Sequence, residues 1–91
     1  MTTVTRYAVF APWRAMPGTM ILAGPAHGRN TYATREEADA MARAMAENNG
    51  DDRIRSVFGC EPGELIALPV KCWAGHFDPV GIYAPTPEAA R

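Results

Sequence analysis

Cysteine, histidine and acidic side chains that lie close together in the sequence are the groups best suited to chemistry in this chain. Cys72 and His76 are four residues apart, and Asp78 follows two residues later. A histidine that is oriented by an acidic residue can deprotonate a cysteine thiol and make it a nucleophile. Nothing local in the sequence brings these side chains together, so we expect no catalytic site. A small enzyme or ligand-binding subunit that uses Cys72, His76 and Asp78 is the alternative interpretation.

The two cysteines and two histidines of the chain are also candidate metal ligands. A structural zinc site needs four nitrogen or sulfur ligands, usually as two close pairs. The chain has one such pair, Cys72 and His76, while Cys60 and His27 are separate from it and there is no Cys-x-x-Cys motif. We therefore predict no metal site and no cofactor. Cys60 and Cys72 are expected to be reduced thiols of a cytoplasmic protein.

The charge of the chain argues against nucleic acid as the partner. The formal net charge is −1, so there is no overall positive field to attract phosphates. Two predicted strands do carry arginine beside aromatic residues, a pattern that can bind single-stranded nucleic acid. These residues are Arg6, Tyr7 and Phe10 on one strand, and Arg53, Arg55 and Phe58 on another. Single-stranded nucleic-acid binding is therefore a further alternative, ranked below the other interpretations.

Residues 34–48 have the strongest helical pattern in the chain. Thr34 is a good N-cap, and Glu37 three residues later completes a capping box. Apolar residues recur at intervals of three and four and form one stripe, which consists of Ala38, Met41, Ala42 and Met45. Asn49 or Gly50 can end the helix in the left-handed conformation. The pattern predicts one helix whose apolar stripe packs on a sheet.

Short apolar segments separated by proline and glycine predict the strands. They are expected at residues 4–11, 19–23, 53–59 and 65–73, with a short fifth strand around 80–83. The first strand is apolar on both alternating faces, which indicates a central strand. Pro69 interrupts the fourth, so that strand is expected to be an edge, bulged or split. The order β-β-α-β-β predicts an α+β fold, with a mostly antiparallel sheet of 4–5 strands and one helix on one face.

Ninety-one residues suffice for one domain with a modest core. We expect residues 1–84 to form that domain and residues 85–91, which carry two prolines and no hydrophobic pattern, to be a loose tail. The N-terminus lacks the pattern of a secretory signal, and no apolar run approaches the ~20 residues of a membrane span. These features predict a cytoplasmic protein that does not contact a membrane.

A single helix is too narrow to cover the predicted sheet. A helix is ~10 Å wide and strands lie ~4.8 Å apart, so one helix covers two or three strands on one face. Several predicted strands are apolar on both faces, so the other face also needs a cover. That cover is expected to be a curl of the sheet, the loops that carry Trp13 and Trp73, or another chain. We therefore predict a non-catalytic protein-binding module, whose partner is a different protein or a second copy docked on the sheet face.

Two sets of residues are candidates for the binding surface. The first is the outer face of the predicted helix and the turn after it, which is mostly acidic and suits a basic partner. Its members are Glu36, Asp39, Arg43, Glu47, Asp51 and Asp52. The second is the pair Trp13 and Trp73, because tryptophan is enriched at protein interfaces.

Eight of the nine cationic side chains are arginine, and Lys71 is the only lysine. In size and in this preference, together with its many alanines, the chain resembles many phage and mobile-element proteins, including inhibitors of host defence such as anti-CRISPR proteins. The resemblance rests on no motif and assigns no residue. It implies a small regulator or stoichiometric inhibitor that acts by binding another protein.

Overall fold

The computed structural model of the chain describes residues 2–23, 31–48, 50–81 and 83–85. In chain order, the elements are β1 (Thr3–Pro12), β2 (Thr19–Leu22), α1 (Arg35–Asn48), α2 (Gly50–Phe58), a 3₁₀ turn (Pro62–Glu64), β3 (Ile66–Trp73) and β4 (Tyr83–Pro85). The predicted α+β fold, with a small antiparallel sheet and one main helix, is confirmed. The strand expected around 80–83 is found slightly later, as β4, which includes Pro85 of the predicted tail. Residues 86–91 lie outside the described residues.

The four strands have the order β3-β1-β2-β4, and every described pair is antiparallel. β1 is central. It pairs with β3 from Thr3, opposite Trp73, to Phe10, opposite Ile66, and its C-terminal end pairs with β2. β3 lies beyond β1 at the edge of the sheet, where Pro69 is tolerated because an outward-facing N–H is not needed there.

α1 begins and packs as its sequence predicts. The N–H of Glu37 donates to the Thr34 hydroxyl over 3.2 Å, so Thr34 is the N-cap. Ala38, Ala42 and Met45 are buried, and this side of α1 packs on β1 and β3. The small alanines let the helix backbone approach the sheet closely. Within the described residues, no helix is both long and apolar enough to cross a bilayer.

The strand predicted at 53–59 is wrong, because most of this segment belongs to α2. Ile54 is buried and Phe58, one helical turn later, packs against the same core. The helix ends at Phe58. Gly59, the next residue, has a φ of +74°, and its N–H donates to the carbonyl of Arg55 over 2.9 Å. That geometry is a helix C-terminus closed by a left-handed glycine. The element order is therefore β-β-α-α-β-β.

The central strand carries two cores, one on each face of the sheet. The core on the helix side consists of Val9, Ala11, Ala23, Ala42, Met45, Ile54, Cys60 and Leu65. The core on the second face consists of Ala8, Phe10 and Met20, with Leu22, Ile66, Leu68, Val70 and Ala84 packed against it. Phe10 is fully buried, although no helix packs on its face among the described residues.

The second face is closed by a curl of the sheet. Pro79 forms a bridge with Cys72 on the outer side of β3, and Tyr83 pairs with Ile21 on the far side of β2. Four residues of chain extend at most ~14 Å, whereas four strand spacings across a flat sheet are ~19 Å. The two edges must therefore approach each other. Of the three covers expected from the sequence, the structure shows the curl.

Candidate functional site

An exposed aromatic surface lies where the β1–β2 loop meets β4. The rings of Trp13 and Tyr83 stack, with centroids 5.5 Å apart and an angle of 23° between their planes. Tyr83 is 54% exposed and Met16, beside it, is 50% exposed. Together with Gly18, Thr19 and Ala84, these side chains line an open groove of about 510 Å³. We call it the aromatic groove.

The loop that carries Trp13 and Met16 is a tight, hydrogen-bonded turn. The N–H of Trp13 donates to the carbonyl of Thr19 over 3.0 Å, and the N–H of Thr19 donates to the carbonyl of Met16 over 3.1 Å. Gly18 has a φ of +87°, a conformation that glycine adopts without steric cost. Pro17 and Gly18 thus form a tight turn, whose residues Met16, Gly18 and Thr19 line one side of the aromatic groove.

A second cleft, of about 320 Å³, continues from the aromatic groove past Trp13. It shares Trp13, Gly18 and Thr19 with the groove and is otherwise lined by Pro12, Arg14, Pro17, Gly59, Cys60 and Glu64. We call it the Arg14 cleft. A Cβ atom on Gly59 would lie 2.7 Å from the Cβ of Arg14, so only glycine lets α2 end against this loop. The N–H of Arg14 donates to the carbonyl of Phe58 over 3.3 Å and completes the contact.

The two charged side chains that line the Arg14 cleft, Arg14 and Glu64, differ in their contacts with the described residues. The Arg14 side chain is exposed and makes no hydrogen bond or ion pair with any described residue. Oε2 of Glu64, which also lines the cleft, accepts the N–H of Glu61 over 2.7 Å. Burial raises the pKa of the Cys60 thiol, and the negative charges of Glu64 and Glu61 raise it further. Cys60, which lines the cleft, therefore keeps its proton to a higher pH than an unperturbed thiol does.

The two predicted tryptophans do not form one surface. Trp13 follows directly after β1, whereas Trp73 pairs with Thr3 near the start of that strand. A strand of ten residues is ~33 Å long. Both indoles are partly exposed, but only Trp13 belongs to the aromatic groove. Tyr83, its stacking partner, was not among the predicted site residues.

The predicted acidic surface lies on two helices. Glu36, Arg43 and Glu47 are exposed on α1, and Asp39 is half-buried. The expected turn at residues 51–52 is wrong, because Asp51 and Asp52 belong to α2. Their side chains lie outside the part of the chain that the structure describes.

The alternative nucleophilic site is only partly assembled. Nδ1 of His76 lies 3.1 Å from Oδ2 of Asp78, so the histidine and the acid do meet. Cys72 is fully buried, and its thiol donates to the carbonyl of Val70, with the sulfur 3.7 Å from that oxygen. In this arrangement the thiol has no access to a substrate in solvent.

The candidate zinc ligands do not converge. Cys60 packs in the helix-side core, whereas Cys72 lies opposite Val4 on the second face, so the sheet separates the two thiols. Both are free cysteines. Among residues 2–23, 31–48, 50–81 and 83–85, no three His, Cys, Asp or Glu side chains group as a metal site would require. His27 lies outside those ranges.

Three of the residues predicted to be candidates for nucleic-acid binding, Phe10, Arg6 and Arg55, are buried or bonded to other groups. Phe10 is fully buried and offers no face for stacking with a base. Nε of Arg6 donates to the Thr31 hydroxyl over 3.1 Å, and its guanidinium lies over the Phe77 ring. The second set, Arg53, Arg55 and Phe58, lies on α2 and not on a strand. Arg55 binds the Glu61 carboxylate.

A cluster around Phe77 was not indicated by the sequence. Phe77 has a φ of +60°, which is rare for a bulky residue. Its carbonyl accepts the hydroxyl of buried Thr31 over 2.8 Å, and its N–H donates to the carbonyl of Trp73 over 2.7 Å. The Asp78-Pro79 dipeptide signals a turn here, but no local signal identifies its distant partners.

No protein-family model, curated protein or solved structure matches this chain. The function must therefore be inferred from the side chains and their geometry. Among the surfaces described above, the aromatic groove combines exposed apolar side chains with a loop held by backbone hydrogen bonds, and the adjoining Arg14 cleft adds charged side chains, Arg14 and Glu64.

Proposed function

We propose that the chain is a non-catalytic, cytoplasmic protein-binding module that acts as a small regulator or stoichiometric inhibitor. The observation that carries this proposal is the stacked and exposed pair Trp13 and Tyr83, with Met16 beside it. Tryptophan, tyrosine and methionine are enriched at protein interfaces, and tryptophan and tyrosine supply a large share of binding free energy. The aromatic groove is therefore the proposed contact surface.

Single exposed apolar residues are common on protein surfaces and need no explanation. The groove is different because its apolar side chains are adjacent and partly ordered before any partner binds. The rings of Trp13 and Tyr83 already stack on each other, and the β1–β2 loop is held by backbone hydrogen bonds. A preformed surface loses little side-chain entropy on binding. This arrangement favours recognition over a purely structural role.

The proposed partner is a different protein, with a second copy of the chain as the alternative. The acidic face of α1 is proposed as an additional contact for a basic partner, since Glu36 and Glu47 are exposed there. The resemblance in size and composition to phage inhibitors, including anti-CRISPR proteins, supports a stoichiometric role and names no target.

The test compares two double variants of the tagged full chain. Met16→Ala/Tyr83→Ala removes apolar surface from the aromatic groove. Val57→Ala/Val80→Ala removes it from other exposed sites, where the side chains are 59% and 46% exposed. Quantitative mass spectrometry of proteins captured from bacterial lysate, together with native mass spectrometry of each purified chain, reports partner and oligomeric state.

We expect at least one stoichiometric partner whose recovery falls about tenfold or more with the groove variant and is unchanged with the control, as for a hot-spot pair worth ~2 kcal/mol. Equal recovery with both variants would contradict the proposal. A dimer that dissociates only in the groove variant would assign the groove to a second copy.

A further inference from the structure

We infer that Met16 is a site of reversible oxidation that controls binding at the aromatic groove. Hydrogen peroxide converts the Met16 thioether into a sulfoxide, and the sulfoxide lowers the affinity of the groove for its partner. This inference rests on the proposed function and adds its regulation. Methionine sulfoxide is polar, so the modification changes the chemistry of one side of an otherwise apolar surface.

Met16 is the most exposed methionine among the residues that the structure describes. Half of its surface is exposed, at 50%, whereas Met20 and Met45 are almost completely buried. Met41 is partly buried against the helix-side core. An oxidant in solvent reaches an exposed side chain more easily than a buried one. Oxidation of the methionines in the described ranges should therefore begin at Met16.

The two cysteines compete poorly with Met16 for peroxide. Cys72 is fully buried, so its thiol is not accessible to an oxidant in solvent. Cys60 is also buried, and its raised pKa keeps most of it as the thiol, while the thiolate is the form that reacts. Oxidation by peroxide is thus directed to the aromatic groove.

The reaction transfers one oxygen atom to the sulfur. A lone pair of the Met16 sulfur attacks one oxygen of hydrogen peroxide, so that an S–O bond forms as the O–O bond breaks. The proton on the transferred oxygen passes to the departing hydroxide, which leaves as water. The sulfur is oxidised and the peroxide is reduced. Methionine sulfoxide reductases restore the thioether, so the modification is reversible.

The position of Met16 makes this change a change of the binding surface. Its N–H donates to the carbonyl of Trp13 over 3.1 Å, and its carbonyl accepts the N–H of Thr19 over 3.1 Å, so its backbone is held in the turn. Its side chain lines the groove together with Trp13 and Tyr83. A partner that packs on Met16 would have to remove water from the sulfoxide oxygen, which costs free energy unless a donor meets that oxygen.

Oxidation at Met16 should leave the fold intact. Met16 belongs to neither hydrophobic core, and the backbone hydrogen bonds of its turn do not involve its side chain. Met20 and Met45, in contrast, lie in the two cores, where a sulfoxide would disturb the packing. Loss of binding without loss of stability therefore distinguishes an effect at the groove from general oxidative damage.

The test treats the tagged full chain with hydrogen peroxide and follows each methionine by peptide mass spectrometry. When Met16 is largely oxidised, the chain is used for capture from bacterial lysate that has been freed of small-molecule reductants, and its stability is measured by urea unfolding. Met16→Leu receives the same treatment, because leucine is apolar, similar in volume and unable to form a sulfoxide. A further sample of oxidised chain is incubated with methionine sulfoxide reductases before capture.

We expect Met16 to be oxidised about tenfold faster than Met20 and Met45. Recovery of the partner that depends on the groove should fall about tenfold with the oxidised chain and return after reductase treatment. Peroxide should not change the recovery that Met16→Leu shows before treatment. The free energy of unfolding should be the same before and after oxidation at Met16.

Oxidation of Met20 or Met45 before Met16 would overturn this inference and leave the proposed function standing. The same conclusion follows if the oxidised chain captures as much partner as the untreated chain, or if peroxide reduces recovery equally in Met16→Leu. If no captured protein depends on the groove when Met16→Ala/Tyr83→Ala is compared with the parent chain, the proposed function and its regulation both fail. The two failures are therefore distinguishable.

Discussion

The guanidinium carbon of Arg6 lies 4.3 Å from the centre of the Phe77 ring, and the Thr31 hydroxyl joins the two residues. It accepts from Nε of Arg6 over 3.1 Å and donates to the carbonyl of Phe77 over 2.8 Å. Thr31 is 2% exposed. These contacts tie the central strand to the turn after β3, and so hold that turn beside the curled face of the sheet.

Replacing Thr31 by valine should destabilise the fold. The variant keeps the shape of the side chain but removes the hydroxyl, which leaves the Phe77 carbonyl and the Arg6 N–H without it. We expect a loss of about 1–3 kcal/mol in the free energy of unfolding, measured by urea denaturation. Thr5→Val, at an exposed position of β1, is the control and should change that free energy by about 0.5 kcal/mol or less. Equal effects of the two variants would show that the hydroxyl bridge does not matter.

Replacing Phe77 by glycine and by alanine separates backbone strain from ring contacts. Both variants lose the contact of the ring with Arg6. Only glycine relieves the φ of +60°, which costs other residues about 1–2 kcal/mol, although glycine loses more backbone entropy on folding. We expect Phe77→Gly to be more stable than Phe77→Ala by about 1 kcal/mol in thermal or urea unfolding. The reverse order would mean that the left-handed conformation at this position is not retained.

Replacing Thr34 by alanine should weaken the start of α1. The Thr34 hydroxyl is the acceptor for the N–H of Glu37, and alanine leaves that N–H without its cap. The expected loss is about 1 kcal/mol in the free energy of unfolding. Thr34→Ser keeps the hydroxyl and should stay within about 0.5 kcal/mol of the parent chain. If serine is as damaging as alanine, the capping interaction is not what stabilises the helix start.

The reactivity of Cys60 reports the electrostatics of the Arg14 cleft. Burial raises its pKa, and the charge of Glu64 is the next cause, so Glu64→Gln should lower that pKa. Because the thiolate is the reactive form, alkylation by iodoacetamide at pH 8 should be faster in this variant, as read by peptide mass spectrometry. Glu47→Gln, on α1, serves as the control. An unchanged rate at Cys60 would show that Glu64 does not act on the thiol.

The raised pKa of Cys60 also affects the stability of the folded chain at alkaline pH. A thiol whose pKa is higher in the folded chain than in the unfolded chain keeps its proton while the unfolded form has already lost it. Its contribution to stability is therefore complete below the unfolded pKa and falls as the pH rises towards the folded pKa. Glu64→Gln should reduce this loss between neutral and alkaline pH.

Local sequence patterns were sufficient to predict those elements whose side chains fit only one type of secondary structure. The N-cap at Thr34 and the stripe from Ala38 to Met45 predict α1, and the two apolar faces of β1 predict its central place. Residues 53–59 were ambiguous, because Ile54 and Phe58, four residues apart, share a face in a strand and in a helix. The deciding signal was Gly59, which closes a helix C-terminus.

The candidate site depends on contacts that local patterns do not contain. Trp13 was a candidate from its residue type alone. Tyr83 reaches it only because the chain passes from the edge of β3 to the far side of β2 across a curled sheet. Likewise, Gly59 has no Cβ atom, and this lets Arg14 in the β1–β2 loop pack against the end of α2. Such relationships between distant segments arise from tertiary packing.

The central place of β1 also determines how the chain must fold. β1 is made early, but one of its two neighbours is β3, which pairs residue 3 with residue 73. The conformational entropy of closing so long a loop must be lost before this pairing stabilises anything, so contacts of this kind slow folding. During synthesis on the ribosome, one edge of β1 therefore remains unpaired, and its apolar side chains remain exposed, until most of the chain has emerged. We expect folding on the slower, millisecond-to-second scale of proteins dominated by non-local strand pairs, and chaperone contact at β1 during synthesis.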